Sequence, residues 1–82
     1  MEYTVYILRS KLNPEKFYIG YTTDLKKRLK NHQQPNESAY TRRFAPWELE
    51  TYVVCKNEQT AKNFEEYLKS HSGRSFLRKR LI

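Results

Sequence analysis

The chain of 82 residues is long enough for one small domain, and its single cysteine, Cys55, excludes an intramolecular disulfide and a zinc site built on several thiolates. Its 38% hydrophobic and 15% aromatic residues indicate that it folds around an apolar core. Sixteen Lys and Arg against nine Asp and Glu give a net charge of +7, which favours a polyanionic binding partner.

Two strands that form a hairpin are predicted near the start of the chain. Residues Tyr3 to Leu8 are rich in β-branched and aromatic types and alternate in the manner of a half-buried strand. After a turn-forming segment that contains Asn13-Pro14, the pattern resumes from Phe17 to Tyr21. Gly20 lies inside this second strand and removes a side chain from the face that carries Tyr18.

A helix is predicted after the hairpin, and a polar loop after the helix. Thr22-Thr23-Asp24 supplies a hydroxyl cap and an acid for the first turn, which is typical of a helix start. The helix is predicted to run to about Gln33 and to end before Pro35. The segment from Asn36 to Ala45 is polar and basic, and we expect a loop that ends at Pro46.

A third strand is predicted from Trp47 to Lys56, where apolar and polar residues alternate. Strict alternation would place four side chains on one face, namely Trp47, Leu49, Thr51 and Val53. With the hairpin, this strand completes a three-stranded antiparallel sheet.

Two further helices are predicted in the last third of the chain. Asn57 or Thr60 would cap a helix that carries Ala61, Phe64 and Leu68 on its apolar side. Residues 70–75 are expected to form a turn around Gly73, and residues 76–82 a short basic helix. The order ββαβαα predicts an α/β fold, a small three-stranded antiparallel sheet flanked by helices, with the sheet on one side and the helices on the other.

The first predicted helix places two polar residues on its apolar side. At about 100° per residue, with Leu25 at zero, Leu29 lies at about 40°, Arg28 at about −60° and His32 at about −20°. Arg28 and His32 therefore share the inward side with the two leucines. A charged residue in that position needs a partner or a function.

The second predicted helix separates two adjacent acids in the same way. With Ala61 at zero and about 100° per residue, Phe64 lies at about −60°, Leu68 at about −20°, Glu65 at about 40° and Glu66 at about 140°. Only Glu65 borders the apolar stripe, so Glu65 is the stronger candidate for a functional carboxylate.

These features resemble the GIY-YIG nuclease family across nearly the whole chain. Thr4-Val5-Tyr6 stands at the family's first tyrosine triplet, without its glycine but with the tyrosine in place, and Tyr18-Ile19-Gly20 is the second triplet, intact. Arg28 follows Gly20 by eight residues, where the family has its helical arginine, and His32 comes one turn later. The pattern Ala61-x-x-Phe64-Glu65 resembles the later family helix whose glutamate holds a metal, and residues 68–80 resemble the tail of short stand-alone bacterial members.

The resemblance implies metal-assisted hydrolysis of a DNA phosphodiester bond. Glu65 would hold one Mg²⁺ or Mn²⁺, and Arg28 would bind a phosphate oxygen in the transition state. Tyr18 would be the general base for the attacking water, oriented by Tyr6, and His32 would assist by accepting a proton. A free phenol has a pKa near 10, so this role for Tyr18 requires nearby positive charge that stabilises the phenolate.

Each of these residues also has a structural interpretation. Tyr6 and Tyr18 are common strand residues, and His32 is compatible with a packing role. Arg28 and Glu65 could form an internal ion pair. Since the two tyrosines lie on one face of the hairpin, with Gly20 beside them, the catalytic interpretation is favoured.

The remaining basic residues predict a DNA-binding surface, with phosphate contacts that release counterions. The residues assigned to it are Lys26, Lys27, Lys30, Arg42, Arg43, Arg74, Arg78, Lys79 and Arg80. No apolar run is long enough for a membrane span, and a cytoplasmic location with a role in DNA repair, recombination or processing is expected. A protein partner could supply the choice of substrate. The alternative is a non-catalytic nucleic-acid-binding module with the same fold.

Overall fold

The structure is a computed structural model that describes residues 1–32 and 39–82, with only the backbone described at residues 31, 32 and 39. The elements in chain order are β1 (Tyr3–Ser10), β2 (Phe17–Thr22), α1 (Leu25–His32), α2 (Ala39–Arg43), β3 (Trp47–Cys55), α3 (Glu58–Lys69), α4 (His71–Phe76) and a C-terminal π-helix (Leu77–Leu81). The three strands form one antiparallel sheet in the order β2-β1-β3, which confirms the predicted sheet.

The central strand β1 is apolar on both of its faces, and helices cover both. Val5 and Ile7 are fully buried against α3 and the π-helix, on what we call the α3 face. Tyr6 and Leu8 are about as deeply buried on the opposite face, where residues of α1 pack, and we call this the α1 face. The predicted arrangement with helices on one side only is therefore wrong. A strand with two apolar faces needs cover on both.

A β-bulge in β3 divides the four side chains that were predicted to share one face. Leu8 pairs with Leu49 while Ile7 pairs with Thr51, so Glu50 is the extra residue on β3. Residues that pair directly share a face, which puts Trp47 and Leu49 on the α1 face and Thr51 and Val53 on the α3 face. The prediction of one common face is wrong because strict alternation fails at a bulge. Glu50 is held there by Arg9, whose Nη1 lies 2.9 Å from Oε1 of Glu50.

Side-chain caps fix the starts of α1 and α3. The carboxylate of Asp24 accepts the backbone N–H of Lys27 at 3.1 Å, so the acid itself caps α1. Asn57 caps α3, as its Oδ1 accepts the N–H groups of Gln59 and Thr60 at 2.8 and 3.2 Å. Of the two predicted caps for this helix, Asn57 is correct.

The segment around Gly73 is helical, so the predicted turn is wrong there. Ser70 ends α3 and also begins α4, because its hydroxyl accepts the N–H of Gly73 at 3.1 Å. A Cβ at Gly73 would collide with the backbone carbonyl of Tyr67, so α4 and α3 pack at a contact that only glycine permits. The π-helix then continues directly from α4, with Leu77 buried.

The predicted loop before β3 contains a short helix, α2, and that part of the prediction is wrong. Its residues are held by aromatic packing that polarity does not reveal: Tyr40 stacks on Trp47 with centroids 5.9 Å apart, and Trp47 donates a hydrogen bond to the carbonyl of Thr41 at 2.8 Å. The predicted end of the first helix near Gln33 lies outside the described residues. Within the described ranges, no helix combines the length and apolar composition that crossing a bilayer requires.

Candidate active site

Tyr6 and Tyr18 lie side by side on the α1 face, across the pairing of β1 with β2. Their ring centroids are 6.2 Å apart and their planes differ by 21°. Tyr6 is 1% exposed and pairs with Gly20, whereas Tyr18 is half-buried. A Cβ on Gly20 would lie 2.6 Å from Oη of Tyr6 and 3.3 Å from Cε1 of Tyr18. The glycine therefore leaves the space in which the phenol of Tyr6 lies.

Arg28 is exposed on α1, beside the end of β2. It lines a shallow depression of about 420 Å³ together with Thr22, Thr23, Asp24 and Lys27. The inward position that helical geometry predicted for Arg28 is wrong, since among the described side chains of α1 it is the leucines that pack against the sheet. A residue at the border of an apolar stripe can extend a long charged side chain into solvent. The guanidinium is consequently available to a solvent-borne anion.

Glu65 lies on α3, the helix that covers the opposite face of the sheet. Its side chain is 18% exposed, and Oε1 is 3.7 Å from Nζ of Lys69 one turn later. Glu66 is exposed, as the helical geometry predicted. The alternative in which Glu65 forms an internal ion pair is realised with Lys69 rather than with Arg28, and a contact of that length to an exposed lysine is weak.

Tyr21, next to the last residue of β2, lies near two acids of α3, Glu58 and Glu65. Its hydroxyl donates a hydrogen bond to Oε2 of Glu58 at 3.3 Å. Partial burial raises the pKa of Tyr21 above 10.0, and the carboxylates of Glu58 and Glu65 raise it further. Tyr21 thus remains a protonated donor near neutral pH. It is unsuited to the role of general base.

The two faces of the sheet meet around β2, which is an edge strand. Thr22, the last residue of β2, lines the depression of Arg28, while the adjacent Tyr21 is hydrogen-bonded to Glu58 of α3. We call this region the β2 rim. Its α1 side has Tyr18, Thr22 and Arg28, and its α3 side has Tyr21, Glu58 and Glu65. The structure thus brings the two tyrosines together, but it holds Arg28 and Glu65 on opposite sides of this rim.

Sequence reasoning did not identify Tyr21 or Glu58 as part of this region. Glu58 precedes Glu65 by seven residues, which places both acids on one side of α3, and this spacing was the available signal. The sequence pattern places Tyr21 at the end of the second predicted strand and assigns it no role in a site. His32 is the last residue of α1, and its side chain lies outside the described part of the chain.

Coordination through one carboxylate, that of Glu65, is compatible with a hydrated divalent ion. Among the described side chains, those of residues 1–30 and 40–82, no three His, Cys, Asp or Glu residues form a cluster able to enclose a metal. Mg²⁺ commonly keeps several waters and binds through one or two carboxylates together with substrate phosphates. Glu65 fits this pattern, because its contact with Lys69 is long and the side chain is partly open to solvent.

The predicted DNA-binding cations are all on the surface. Exposed side chains are found at Lys26, Lys27, Lys30, Arg42, Arg43, Arg74, Arg78, Lys79 and Arg80. They come from α1, α2, α4 and the π-helix. A surface of this charge favours contact with a polyanion.

Comparison with known proteins identifies the family. Residues 2–80 match the GIY-YIG catalytic domain. UPF0213 proteins of Streptococcus pyogenes serotype M5 (strain Manfredo) and serotype M1 are each 41% identical over 58 residues, which form 71% of this chain and only 63% of each relative. The solution NMR structure of a UPF0213 protein from Bacillus halodurans has a similar fold, with a TM-score of 0.58 and 31% identity, covering 96% of this chain and 84% of that one. The chain therefore belongs to the GIY-YIG catalytic domain family.

Proposed function

We propose that residues 1–82 form a single domain that acts as a metal-dependent DNA endonuclease and hydrolyses a phosphodiester bond at the β2 rim. The observation that carries the proposal is the arrangement of the family's two tyrosines. The ring of Tyr6 on β1 stacks on the ring of Tyr18 on β2, and Gly20 leaves space for the phenol of Tyr6. An exposed arginine and a half-buried carboxylate lie at the end of the same edge strand. The arginine can bind a phosphate, and the carboxylate can bind the metal ion that accompanies it.

Arg28 binds a non-bridging oxygen of the scissile phosphate. Its guanidinium carries a permanent charge and presents planar donors, which suit a phosphate better than a lysine ammonium does. Negative charge accumulates on the phosphate oxygens as water attacks, so a positioned donor stabilises the transition state more than the ground state. The exposure of Arg28 in a depression of about 420 Å³ supports this role, because a DNA backbone can reach it.

Tyr18 accepts the proton of the attacking water, and Tyr6 orients Tyr18. The oxygen of water forms the new bond to phosphorus, and one of its protons passes to the phenolate oxygen of Tyr18. The bond from phosphorus to one ester oxygen breaks, and that oxygen leaves with the electron pair and takes a proton from solvent. Tyr6 is 1% exposed, and its phenol fills the space beside Gly20, so the side chain is held in place and suits a positioning role. His32 is proposed to assist as a proton acceptor.

Glu65 would hold one Mg²⁺ or Mn²⁺ through its carboxylate, with water in the other positions. When bound, such an ion neutralises charge on the phosphate and the leaving oxygen. The protein's own contribution is to keep Glu65 partly buried on α3, with Glu58 engaged by Tyr21 nearby. A substrate phosphate placed at the rim would then lie between Arg28 and Glu65.

DNA is the proposed partner, and a role in DNA repair, recombination or processing in the cytoplasm is the proposed context. Exposed cations from four helices support binding to a phosphate backbone. A protein partner that selects the substrate is compatible with the small size of the domain.

One observation favours the second candidate function, a nucleic-acid-binding module without catalysis. Glu65 belongs to the helix on the opposite face from the tyrosine pair, and it is paired with Lys69. If the rim never brings Glu65 and Arg28 to one phosphate, the basic surface would bind DNA without cutting it.

Plasmid cleavage decides between the two functions. Supercoiled plasmid, together with flapped and branched duplexes, is incubated with purified protein in Mg²⁺ or Mn²⁺, with chelator in a matched reaction. We expect metal-dependent nicking that chelator prevents. Retention of every substrate, in a preparation that still shifts DNA in gels, would support the binding module.

A further inference from the structure

A second cavity lies beyond the β2 rim, on the outer side of β2 near its start. It has a volume of about 320 Å³, and the residues that line it include Glu15, Lys16, Tyr40, Arg74 and Arg78. Volumes from about 300 Å³ are typical of sites for small ligands. Of the proposed catalytic residues whose side chains the structure describes, none lines this cavity, so it requires its own explanation.

Three cations and one acid are found among the described residues that line the cavity. Arg74 on α4 and Arg78 in the π-helix are four residues apart, and Lys16 approaches from the start of β2. Both arginines are exposed. Arginine donors in this arrangement suit a phosphate group, which accepts several charge-assisted hydrogen bonds at once.

Tyr40 provides an aromatic surface in the same cavity. Its ring stacks on Trp47 with centroids 5.9 Å apart and planes at 26°, and its hydroxyl donates to the carbonyl of Phe17 at 2.9 Å. These contacts, with an edge-to-face contact to the ring of Phe44 at a centroid distance of 5.1 Å, fix the ring. Tyr40 as a whole is 41% exposed and lines the cavity. A fixed aromatic ring with an accessible surface is a platform on which a nucleobase can stack.

We infer that this cavity binds one unpaired nucleotide of a DNA strand, with its phosphate on Arg74 and Arg78 and its base on Tyr40. The inference rests on the proposed function for the identity of the strand as DNA. A base in a duplex is already stacked on both sides, so this site selects unpaired DNA. Base pairing would have to be lost before a duplex nucleotide could enter.

The cavity is connected to the tyrosine pair through Trp47. The ring of Trp47 lies 6.4 Å from that of Tyr18 and 5.9 Å from that of Tyr40, measured between centroids. A strand that passes along β2 therefore reaches both sites within a short length. The inferred preference is for DNA in which an unpaired segment adjoins the bond that is cut, as in a flap or a frayed end.

Binding in chelator tests the cavity without cleavage. Labelled single-stranded DNA of about ten nucleotides and a blunt duplex of equal length are titrated with wild type and with Arg74→Gln/Arg78→Gln. We expect the double variant to lose about tenfold affinity for the single strand and markedly less for the duplex. The matched control, Lys79→Gln/Arg80→Gln, removes the same charge from the same helical segment outside the cavity and should weaken both probes by equal factors.

The stacking platform has its own pair of variants. Tyr40→Phe keeps the ring and should retain single-strand binding, whereas Tyr40→Leu removes it and should lose about tenfold. Trp47, the only tryptophan, reports occupancy, because a base on Tyr40 changes the surroundings of the stacked pair and hence the Trp47 emission. Thermal melting verifies that each variant is folded. If Tyr40→Leu does not fold, the binding data for Arg74→Gln/Arg78→Gln alone decide whether the cavity binds a nucleotide.

Equal losses for single strand and duplex in Arg74→Gln/Arg78→Gln would overturn the inference, as would wild type that binds the duplex as tightly as the single strand. Failure of the proposed nuclease is distinguishable, since it appears as intact plasmid in Mg²⁺ or Mn²⁺ while the binding experiments in chelator retain their pattern.

Discussion

The two faces of the sheet differ in what their buried side chains do. On the α3 face, Val5, Ile7, Ala61 and Leu68 form an apolar cluster with no polar atoms in their side chains. On the α1 face, the equivalent layer is built around Tyr6, whose phenol occupies the space that Gly20 leaves. A small domain has few buried positions, and Tyr6 places a hydroxyl group in one of them.

Glu65 is the exception to this division, because it brings a carboxylate to the helix of the apolar face. Its position beside Tyr21, at the end of the edge strand, lets it act around β2 rather than through the sheet. In the centre of the sheet, we therefore expect the α3 face to contribute to stability and the α1 face to contribute to catalysis. At the β2 rim, we expect residues of both faces to contribute to catalysis.

The largest effect is expected for Glu65→Gln, which tests whether a residue of α3 takes part in catalysis at the β2 rim. The amide retains shape and loses the charge that would hold a divalent ion, so cleavage should fall below detection while DNA binding is kept or tightened. Glu66→Gln is the matched control and should cut normally, since Glu66 is exposed. Equal losses from the two substitutions, or a lower melting temperature for Glu65→Gln only, would assign Glu65 to a structural ion pair with Lys69.

Tyr18→Phe tests the chemistry of the α1 face. The substitution keeps the ring contacts with Tyr6 and Trp47 and deletes the hydroxyl, so the rate of plasmid nicking should fall by about 10² to 10⁴, the general-base contribution. The melting temperature should change little. The nicking rate of wild type should rise with pH through a group that is absent from the variant.

Tyr6→Phe is the control for this assignment. If it abolishes nicking while Tyr18→Phe retains it, the general base lies in β1 and the roles are reversed. Normal nicking by both variants would return the two tyrosines to a packing role.

Leu68→Ala tests the stabilising face. Leu68 is fully buried in the apolar cluster, and truncation of such a leucine typically costs about 2–5 kcal/mol in the free energy of unfolding. At a temperature where the variant is folded, its nicking rate should remain close to that of wild type. A large loss of rate in folded protein would mean that the α3 face also positions the site, contrary to the division proposed above.

The sequence predicted the sheet, the strand pair that carries the tyrosines and the deeper burial of Glu65 relative to Glu66, because period-two and helical patterns determine those features. It could not predict the bulge at Glu50, since the pattern of β3 looks regular until its pairing with β1 is known. The exposure of Arg28 was missed for a related reason. Angular position places its Cα near the apolar stripe, but the length of the side chain decides where its charge lies.

The helical segment around Gly73 shows the same limit. In sequence, a glycine flanked by serines is typical of a turn, and it here marks a close contact with the carbonyl of Tyr67. Such contacts depend on how α4 packs against α3, and this packing cannot be predicted from the local sequence pattern. The family resemblance supplied the roles of the site residues, and their arrangement around the rim came from tertiary structure.

The smallest effect is expected for Tyr21→Phe, which tests how the acids of the α3 side are held. Partial burial and then Glu58 raise the pKa of Tyr21 above 10.0, so the folded protein binds this proton more tightly than the unfolded chain. The associated stability is fully present below pH 10.0 and is lost as the pH rises through the folded-state pKa. Near pH 8, Tyr21→Phe should therefore melt and cut nearly as wild type does, and above pH 10 the wild type should lose more stability than the variant. The measurement is the difference in melting temperature between the two proteins across this range, which cancels the titration of the other tyrosines and lysines. A constant difference across the range would mean that Tyr21 titrates as it does in the unfolded chain. The hydrogen bond to Glu58 would then have no part in holding the α3 side of the β2 rim.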